Sequence, residues 1–570
     1  MLAAALPAMM TIMTMTTTMT TMTTMTASPP RQSDATEFKR VAAGVHFVHT
    51  NGASAEKFMP ETMGSGVLIF DFDGDDWPDI LFINGGSFVD ADVSDSAGHV
   101  LYRNIGAESG QMTFTGVPGA AGIDKAGYGM GACAGDTDND GWEDVYITGV
   151  GESALYRNAG GVFENVTAAS GLGAGVWSTS CAFADIDNDG DLDLYVANYV
   201  DFTRENNKYC GNVDNVRFYC HPNIYNGVGD LLYRNDGDGT FTEIGRESGV
   251  STEDGKGLGV VALDYDGDGL VDFYVANDSV PNFLFRNIDG SRFEEVALRA
   301  GVSVGSDGQP LAGMGTDAGD VDGDGIEDLV VTNLDRQTHN FYRNRGRGWF
   351  SDATYESGIG EATLPYVGFG AVLFDYDNDG DLDLAIANGD VLDNIELIRE
   401  NARYAQENLL LTNDGRGRFV RADPGPDFLV PNVSRGLVTG DMDRDGDLDL
   451  VVSNNGRPAE IFENVGGNQN RSLAVRLRGA ESNRSGIGAR LTLSVGDRRF
   501  VRQGRAGSSY LGQNERQIHF GLGRAMRAER LEVGWPSGIV DVIEAIDAGQ
   551  TILIHEGRGV VEAEPFPGRR

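Results

Sequence analysis

Four cysteines in 570 residues are too few to staple a chain of this size, so its stability has to come from buried apolar surface or from bound ligands. Nowhere does the sequence run to the roughly 20 apolar residues that a membrane helix needs. Positive charge is scarce, with 44 Lys and Arg against 86 Asp and Glu and a net charge of −42. That balance repels nucleic-acid phosphates, and no basic stripe overturns it. Catalytic signatures are missing too: there is no G-x-S-x-G elbow, no P-loop and no H-E-x-x-H. G-M-G-T-D-A-G from Gly313 imitates a dinucleotide fingerprint, but it recurs as an ordinary strand entry and opens no helix. At the N-terminus an apolar stretch and Met/Thr low complexity lack the basic n-region of a secretory signal. Residues 1–33 therefore read as a degenerate signal, a misassigned start or a disordered tail, outside the fold in each case.

What the chain does have is one segment that recurs. F-A-D-I-D-N-D-G-D-L-D-L-Y-V-A-N, from Phe183 to Asn198, places carboxylates at positions 1, 3, 5 and 9 of a loop: Asp185, Asp187, Asp189 and Asp193. Six further copies keep those positions: Asp71, Asp73, Asp75 and Asp79; Asp136, Asp138, Asp140 and Asp144; Asp264, Asp266, Asp268 and Asp272; Asp320, Asp322, Asp324 and Asp328; Asp375, Asp377, Asp379 and Asp383; Asp441, Asp443, Asp445 and Asp449. Oxygen-only ligands at this spacing, with a backbone carbonyl at position 7 and a bidentate carboxylate at position 9, suit Ca²⁺. Up to seven ions are expected. The first loop is the weakest copy, because Asp76 stands where the others place the turn glycine at position 6. One such acidic run is an ordinary solvated turn, but seven in register are not. Seven dications would also bring the formal charge from −42 to −28.

Around each loop the sequence predicts four strands: a Gly-rich strand entering it, a D-L-Y-V-A-N strand leaving it, an L-Y-R-N strand and an F-x-x-V strand. Four strands per repeat is the pattern of a propeller blade. After Ile461–Asn464 no F-x-x-V segment follows, whereas F-K-R-V-A-A-G-V, Phe38 to Val45, stands alone at the front. An orphan strand at one end and a vacancy at the other predict a closed ring in which the N-terminal strand completes the last blade.

These repeats resemble the FG-GAP/VCBS propeller repeats of integrin α heads, and more closely the bacterial cartilage-acidic-protein-like family. From Arg471 to Glu556 the Asp loops vanish and thirteen arginines face nine acidic residues. Alternating segments such as L-A-V-R-L-R and L-E-V-G-W predict a small β-domain there. G-I-G-A-R at Gly486, H-F-G-L-G at His519 and W-P-S-G at Trp535 resemble the ASPIC/UnbV domain. The resemblance implies an all-β chain: a seven-bladed β-propeller over 34–466, an ASPIC/UnbV domain over 467–557 and a tail over 558–570. The opposite charges of the two modules favour their docking on one another.

Calcium loops of this type fill near millimolar ion, which argues for a secreted, periplasmic or cell-surface location. In the third blade's insertion, Cys210 and Cys220 are expected to pair as a disulfide, with zinc beside His221 as the competing use. Cys133 and Cys181, on Gly-rich strands, read as buried free thiols. His46 and His49, three apart on a strand, point to opposite faces and form no shared metal site; the polar loop from His46 to Gly66 has no role derivable from sequence. The expected function is a calcium-binding scaffold for an extracellular protein or glycan. The alternative is an enzyme-like member of a biosynthetic pathway, as relatives in enediyne pathways suggest, with its pocket at the propeller pore or the domain junction.

Overall fold

The computed structural model describes residues 36–89, 98–123, 127–173, 175–211 and 216–567; the expectation for residues 1–33 lies outside them. Among the described residues the chain is all-β. Seven antiparallel sheets each run in meander order, the third being Ser178–Ala184, Asp193–Asn198, Leu231–Asn235 and Phe241–Glu243. Their first strands begin at Val67, Tyr128, Ser178, Gly257, Thr316, Gly368 and Ser434. Each touches the first strand of the next sheet, and Ser434–Gly440 touches Val67–Phe70, so the series closes on itself.

The period of two along a strand explains why every sheet is apolar on both faces. In Asp193–Asn198, Leu194 and Val196 pack with Cys133 and Tyr146 of the second sheet. Tyr195 and Ala197 point the other way, onto Phe273 and Val275 of the fourth. Such layers lie between every neighbouring pair of sheets, including the seventh and first, where Val438, Val451 and Ile461 meet Val67, Ile69 and Phe82.

The last sheet is completed from the other end of the chain. Glu37–Val41 pairs antiparallel with Glu460–Val465, Phe38 lying opposite Asn464. Phe38 is buried against Phe374, Tyr376 and Phe428, with ring centroids 5.7–6.4 Å apart. The strand is shorter than the sequence implied: it ends at Val41, and the chain turns at Ala43 and Gly44 with positive φ.

Residues after Arg471 form two further four-stranded sheets around one core of Leu473, Val475, Leu491, Leu493, Phe520, Leu531 and Ile554. One correction concerns their extent. Gly559–Pro565, expected to be tail, pairs with Gln550–His555 as an edge strand, and Phe566 is buried. The alternation of V-V-E-A-E is too polar to read as a strand until its partner is known.

The end of this module holds a carboxylate in a nest of donors. Glu556 Oε2 accepts the backbone N–H groups of Ala480, Glu481 and Ser482 at 2.6–2.9 Å, and Oε1 accepts the Ser482 hydroxyl at 2.8 Å and that of Ser537. Burial alone would raise this carboxyl, but the hydrogen bonds from Ser537 and the three amides hold it down at about 2. A depressed carboxyl stabilises the fold above its ordinary value of 4.5 and loses that contribution as pH falls towards 2. Replacing Glu556 with Ala is expected to cost about 1–3 kcal/mol at neutral pH, through the loss of charge-assisted hydrogen bonds and the buried Ser482 N–H left unpaired. In thermal melts the gap between wild type and E556A should narrow between pH 4.5 and pH 2; a constant gap would show that the charge is not what matters.

Candidate metal centres

Each Asp loop joins the first strand of a sheet to its second, which puts the seven loops on one rim of the ring. The loops are built alike. The carboxylate at position 1 accepts the N–H of position 6 at 2.8–3.1 Å in every copy, from Asp76 to Asp71 through to Gly446 to Asp441. Oδ1 at position 5 accepts the N–H of position 7, also in every copy. At position 9 the two oxygens are shared out: one takes the N–H of position 2, the other the N–H of the asparagine ending the third strand, as with Phe72 and Asn104 on Asp79. The same pair of bonds recurs at Asp193 and Asp449. Position 9 therefore braces three segments and retains one lone-pair direction on each oxygen.

Two backbone positions, not one, are left-handed. Position 6 has φ of 67° at Asp76 and 87–101° at the six glycines; the first loop thus takes the conformation that its missing glycine makes costly. Position 4 is left-handed as well, at Gly74, Asn139, Asn188, Gly267, Gly323, Asn378 and Arg444. Gly and Asn tolerate that region, and their recurrence there was the readable signal.

The carboxylates converge. Asp71, Asp73 and Asp79 each offer an oxygen within 4.8 Å of the others, as do Asp136, Asp138 and Asp140; Asp185, Asp187 and Asp193; Asp264, Asp266 and Asp272; and Asp320, Asp322 and Asp324, with two further groups of this kind. Burial, with neighbouring carboxylates adding to it, raises Asp71 and Asp136 to about 6, Asp185 and Asp320 to about 7 and Asp79 to about 9. Asp73, Asp320, Asp322, Asp375 and Asp443 each keep a buried Oδ1 with no hydrogen-bond partner. Orphaned buried carboxylate oxygens are costly, and an oxygen-only set of this density fits a hard divalent cation.

One residue type escaped the sequence reading altogether. The asparagine closing each third strand donates to the position-2 carbonyl of the preceding sheet's loop: Asn158 to Phe72, Asn235 to Thr137, Asn287 to Ile186, Asn344 to Tyr265, Asn413 to Val321 and Asn464 to Tyr376. Asn104 donates to Met442 at 2.8 Å and completes the circle. The loops are thus strapped to one another around the rim.

Both cysteine pairs are disulfides, Cys210–Cys220 with Cα atoms 5.3 Å apart and Cys133–Cys181 at 5.8 Å. The second corrects the free-thiol expectation. Cys133 lies three residues before its loop and Cys181 four, and an offset of one flips a strand side chain to the opposite face. The two sulfurs therefore face each other between the second and third sheets. His221 is not a metal partner of Cys220; its Nδ1 accepts the N–H of Asn223. His49 is buried and accepts the N–H of Gly456, while Glu61 is fixed by Ser54 and Tyr219.

The axis of the ring is filled. From one end come Phe58, Met59 and Met63, and from the other Tyr510 and Leu511. Residues 505–513 reach the first strand of every sheet: Gly512–Gln513 pairs with Val67–Leu68, Gln513 accepts from Ala134, Ser180 accepts from Leu511, Arg505 donates to Ala262, Ser509 bridges Thr316, and the Ser509 hydroxyl links Ala371 to Leu437. Where this segment leaves the axis, a cavity of about 140 Å³ is lined by Asp317, Glu327, Arg502, Arg505, Ser508 and Gln513 among others. At the rim, Arg516 meets Glu143 at 2.5 Å, Arg476 meets Asp76, and His519 meets Asn378 at 2.6 Å. A cavity of about 240 Å³ lies there, lined by Asp71, Asp136, Arg444, Arg476, Arg484 and Arg516 among others.

Comparison with known proteins agrees with this architecture. Residues 136–196, 223–275, 264–331 and 320–386 match the FG-GAP-like repeat, and residues 479–561 match ASPIC and UnbV. Cartilage acidic protein 1 of Homo sapiens is 28% identical over 275 residues, 47% of this chain and 39% of that protein; its Xenopus tropicalis counterpart is 28% identical over 281 residues, covering 47% and 40%. The chain thus spans about two fifths of the length of these relatives. Among solved structures, the WD40 β-propeller domain of Doa1 covers 76% of this chain and 99% of its own at 9% identity and a TM-score of 0.39. An Agrocybe aegerita lectin that recognises non-reducing terminal N-acetylglucosamine covers 64% and 79% at 18% identity and a TM-score of 0.36. The chain is an FG-GAP-repeat β-propeller with an ASPIC/UnbV domain, homologous to cartilage acidic protein 1.

Proposed function

We propose that the protein is an exported scaffold whose propeller is set by bound calcium and capped by its own ASPIC/UnbV domain, and which binds a protein or glycan partner on the free rim. The observation that carries this is the recurring set of converging carboxylates, at least one of them buried in each group named above, with orphaned oxygens in the first, fifth, sixth and seventh loops. Such loops fill near millimolar calcium, and disulfides persist in oxidising compartments; both support an extracytoplasmic site of action. Relationship to cartilage acidic protein 1 is consistent with it. Among the described residues no helix is long and apolar enough to cross a membrane.

The rim away from the Asp loops carries the insertions after Asn198 and Asn388, tied together by Asn394 donating to the Arg217 carbonyl, with Lys57 of the His46–Gly66 loop paired to Asp393. It exposes Tyr209, Ile224, Leu397 and Ile398, apolar side chains of the kind that anchor interfaces. For the enzyme reading, the candidate places are the arginine-lined cavity at the domain junction and the smaller one beside Arg505.

The test is capture of partners from the native secretome by the full chain, with calcium or chelator, and by the variant Leu397→Asp. Capture that needs calcium and is lost in the variant is the expected result. Partners held equally in chelator and by the variant would remove both parts of the proposal.

A further inference from the structure

The residue before each strapping asparagine varies in a way that matters to the loop beneath it. It is arginine in the first five sheets (Arg103, Arg157, Arg234, Arg286 and Arg343), Thr412 in the sixth and Glu463 in the seventh. Arg103 places Nε 2.5 Å from Asp73 and Nη2 2.8 Å from Asp75. Arg286 does the same to Asp266 and Asp268, at 2.6 and 2.9 Å. Arg343 reaches Asp322 at 3.2 Å. In the first and fourth loops a guanidinium already holds the carboxylates at positions 3 and 5, and in the fifth it holds the one at position 3. Arg157 and Arg234 turn instead to Glu164 and Asp236. The sixth loop has no cation at this position, but Arg498 and Arg502 of the C-terminal domain donate to its Asp379 and Gly380 carbonyls, and Arg498 pairs with an extra carboxylate at position 7, Asp381. The seventh has Asp447 at position 7, and Glu463 adds its charge to Asp443 and Asp445; the loop's own cation, Arg444 at position 4, is already paired with Glu515 at 2.5 Å, and Lys39 with Glu37 at 3.0 Å.

Resting on the calcium reading above, we propose that this one position biases the affinity of the loop beneath it: the Glu463 loop binds calcium most tightly, and the loops beneath Arg103, Arg286 and Arg343 most weakly. In the weak loops the incoming ion has to displace or share an ion pair, and a fixed positive charge a few ångströms away repels it. In the seventh loop a further negative charge attracts it.

Calorimetric titration of the full chain with CaCl₂ tests the order. Wild type should show at least two classes, with the Glu463 loop in the tighter one. Glu463→Arg should weaken one tight site by on the order of tenfold or more, as expected for reversing a charge beside a dication. Arg286→Thr, at a partly exposed side chain, should move in the opposite direction and strengthen one weak site, which keeps the test decisive if Glu463→Arg folds poorly. Seven equivalent sites, or an Arg286→Thr profile identical to wild type, would overturn the ranking and leave calcium binding standing. A wild-type chain that takes up no calcium would overturn both.

Discussion

Chelation with excess EDTA is expected to lower the melting temperature steeply. With a Kd near 0.1 mM and about 1 mM ion, each site adds about 1.4 kcal/mol by mass action, so seven independent sites add on the order of 10 kcal/mol. That matches the whole stability of a typical domain, roughly 5–15 kcal/mol. The physical origin lies in the rim. Without cations, carboxylates such as Asp375, Asp383, Asp441 and Asp449 are buried beside one another, and backbone hydrogen bonds, together with the nearby Arg502 and Arg444, offset only part of the cost. The loops are strapped in a circle by Asn104 and its six equivalents, so loosening one strains its neighbours. A scanning-calorimetry endotherm unchanged in EDTA, with metal removal confirmed by elemental analysis, would rule calcium out as a structural element.

Two truncations that differ by twelve residues should behave very differently. Removing everything through Ser33 takes away no sheet element among the described residues. Removing everything through Val45 deletes Glu37–Val41, leaves Glu460–Val465 as an unpaired edge and empties the Phe38 site between Phe374 and Phe428. Loss of a buried phenylalanine alone costs about 3–5 kcal/mol, and an open edge invites pairing between molecules. The longer deletion should aggregate on expression or melt well below the shorter one. Equal solubility and equal melting would mean that the ring does not depend on its N-terminal strand.

Much of this architecture could be read from the chain because repetition multiplies weak signals. One D-x-D-x-D-G-x-x-D run says little, whereas seven followed by apolar runs specify loops and strands together, and the orphan Phe38 segment follows from counting. What stayed hidden depends on neighbours in space. Cys133 and Cys181 look alike on isolated strands, and only adjacent sheets with a one-residue offset turn their side chains towards each other. The strapping asparagine was visible in every L-Y-R-N-like segment, but its acceptor belongs to another repeat. Residues 504–514 match no repeat element, and several are small. They are small because the axis is crowded: a Cβ on Gly507 would come within 2.3 Å of the Cys181 carbonyl oxygen. Nothing local in R-A-G-S-S-Y-L-G-Q-N announces that Tyr510 is fully buried.

The pairing of the first strand with the last sheet also sets a clock on assembly. Arg40 and its partner Glu460 are 420 residues apart, and at roughly 5–20 residues per second the ribosome separates their emergence by about 20–80 s. Throughout that interval the first strand has no partner. Residues 505–513, which fill the axis, are made later still. Sheets one to six can therefore collapse in order as an open arc, but neither the closing strand nor the axial segment can find its place until synthesis is almost finished, and the nascent arc carries an exposed edge at each end for a holdase to cover.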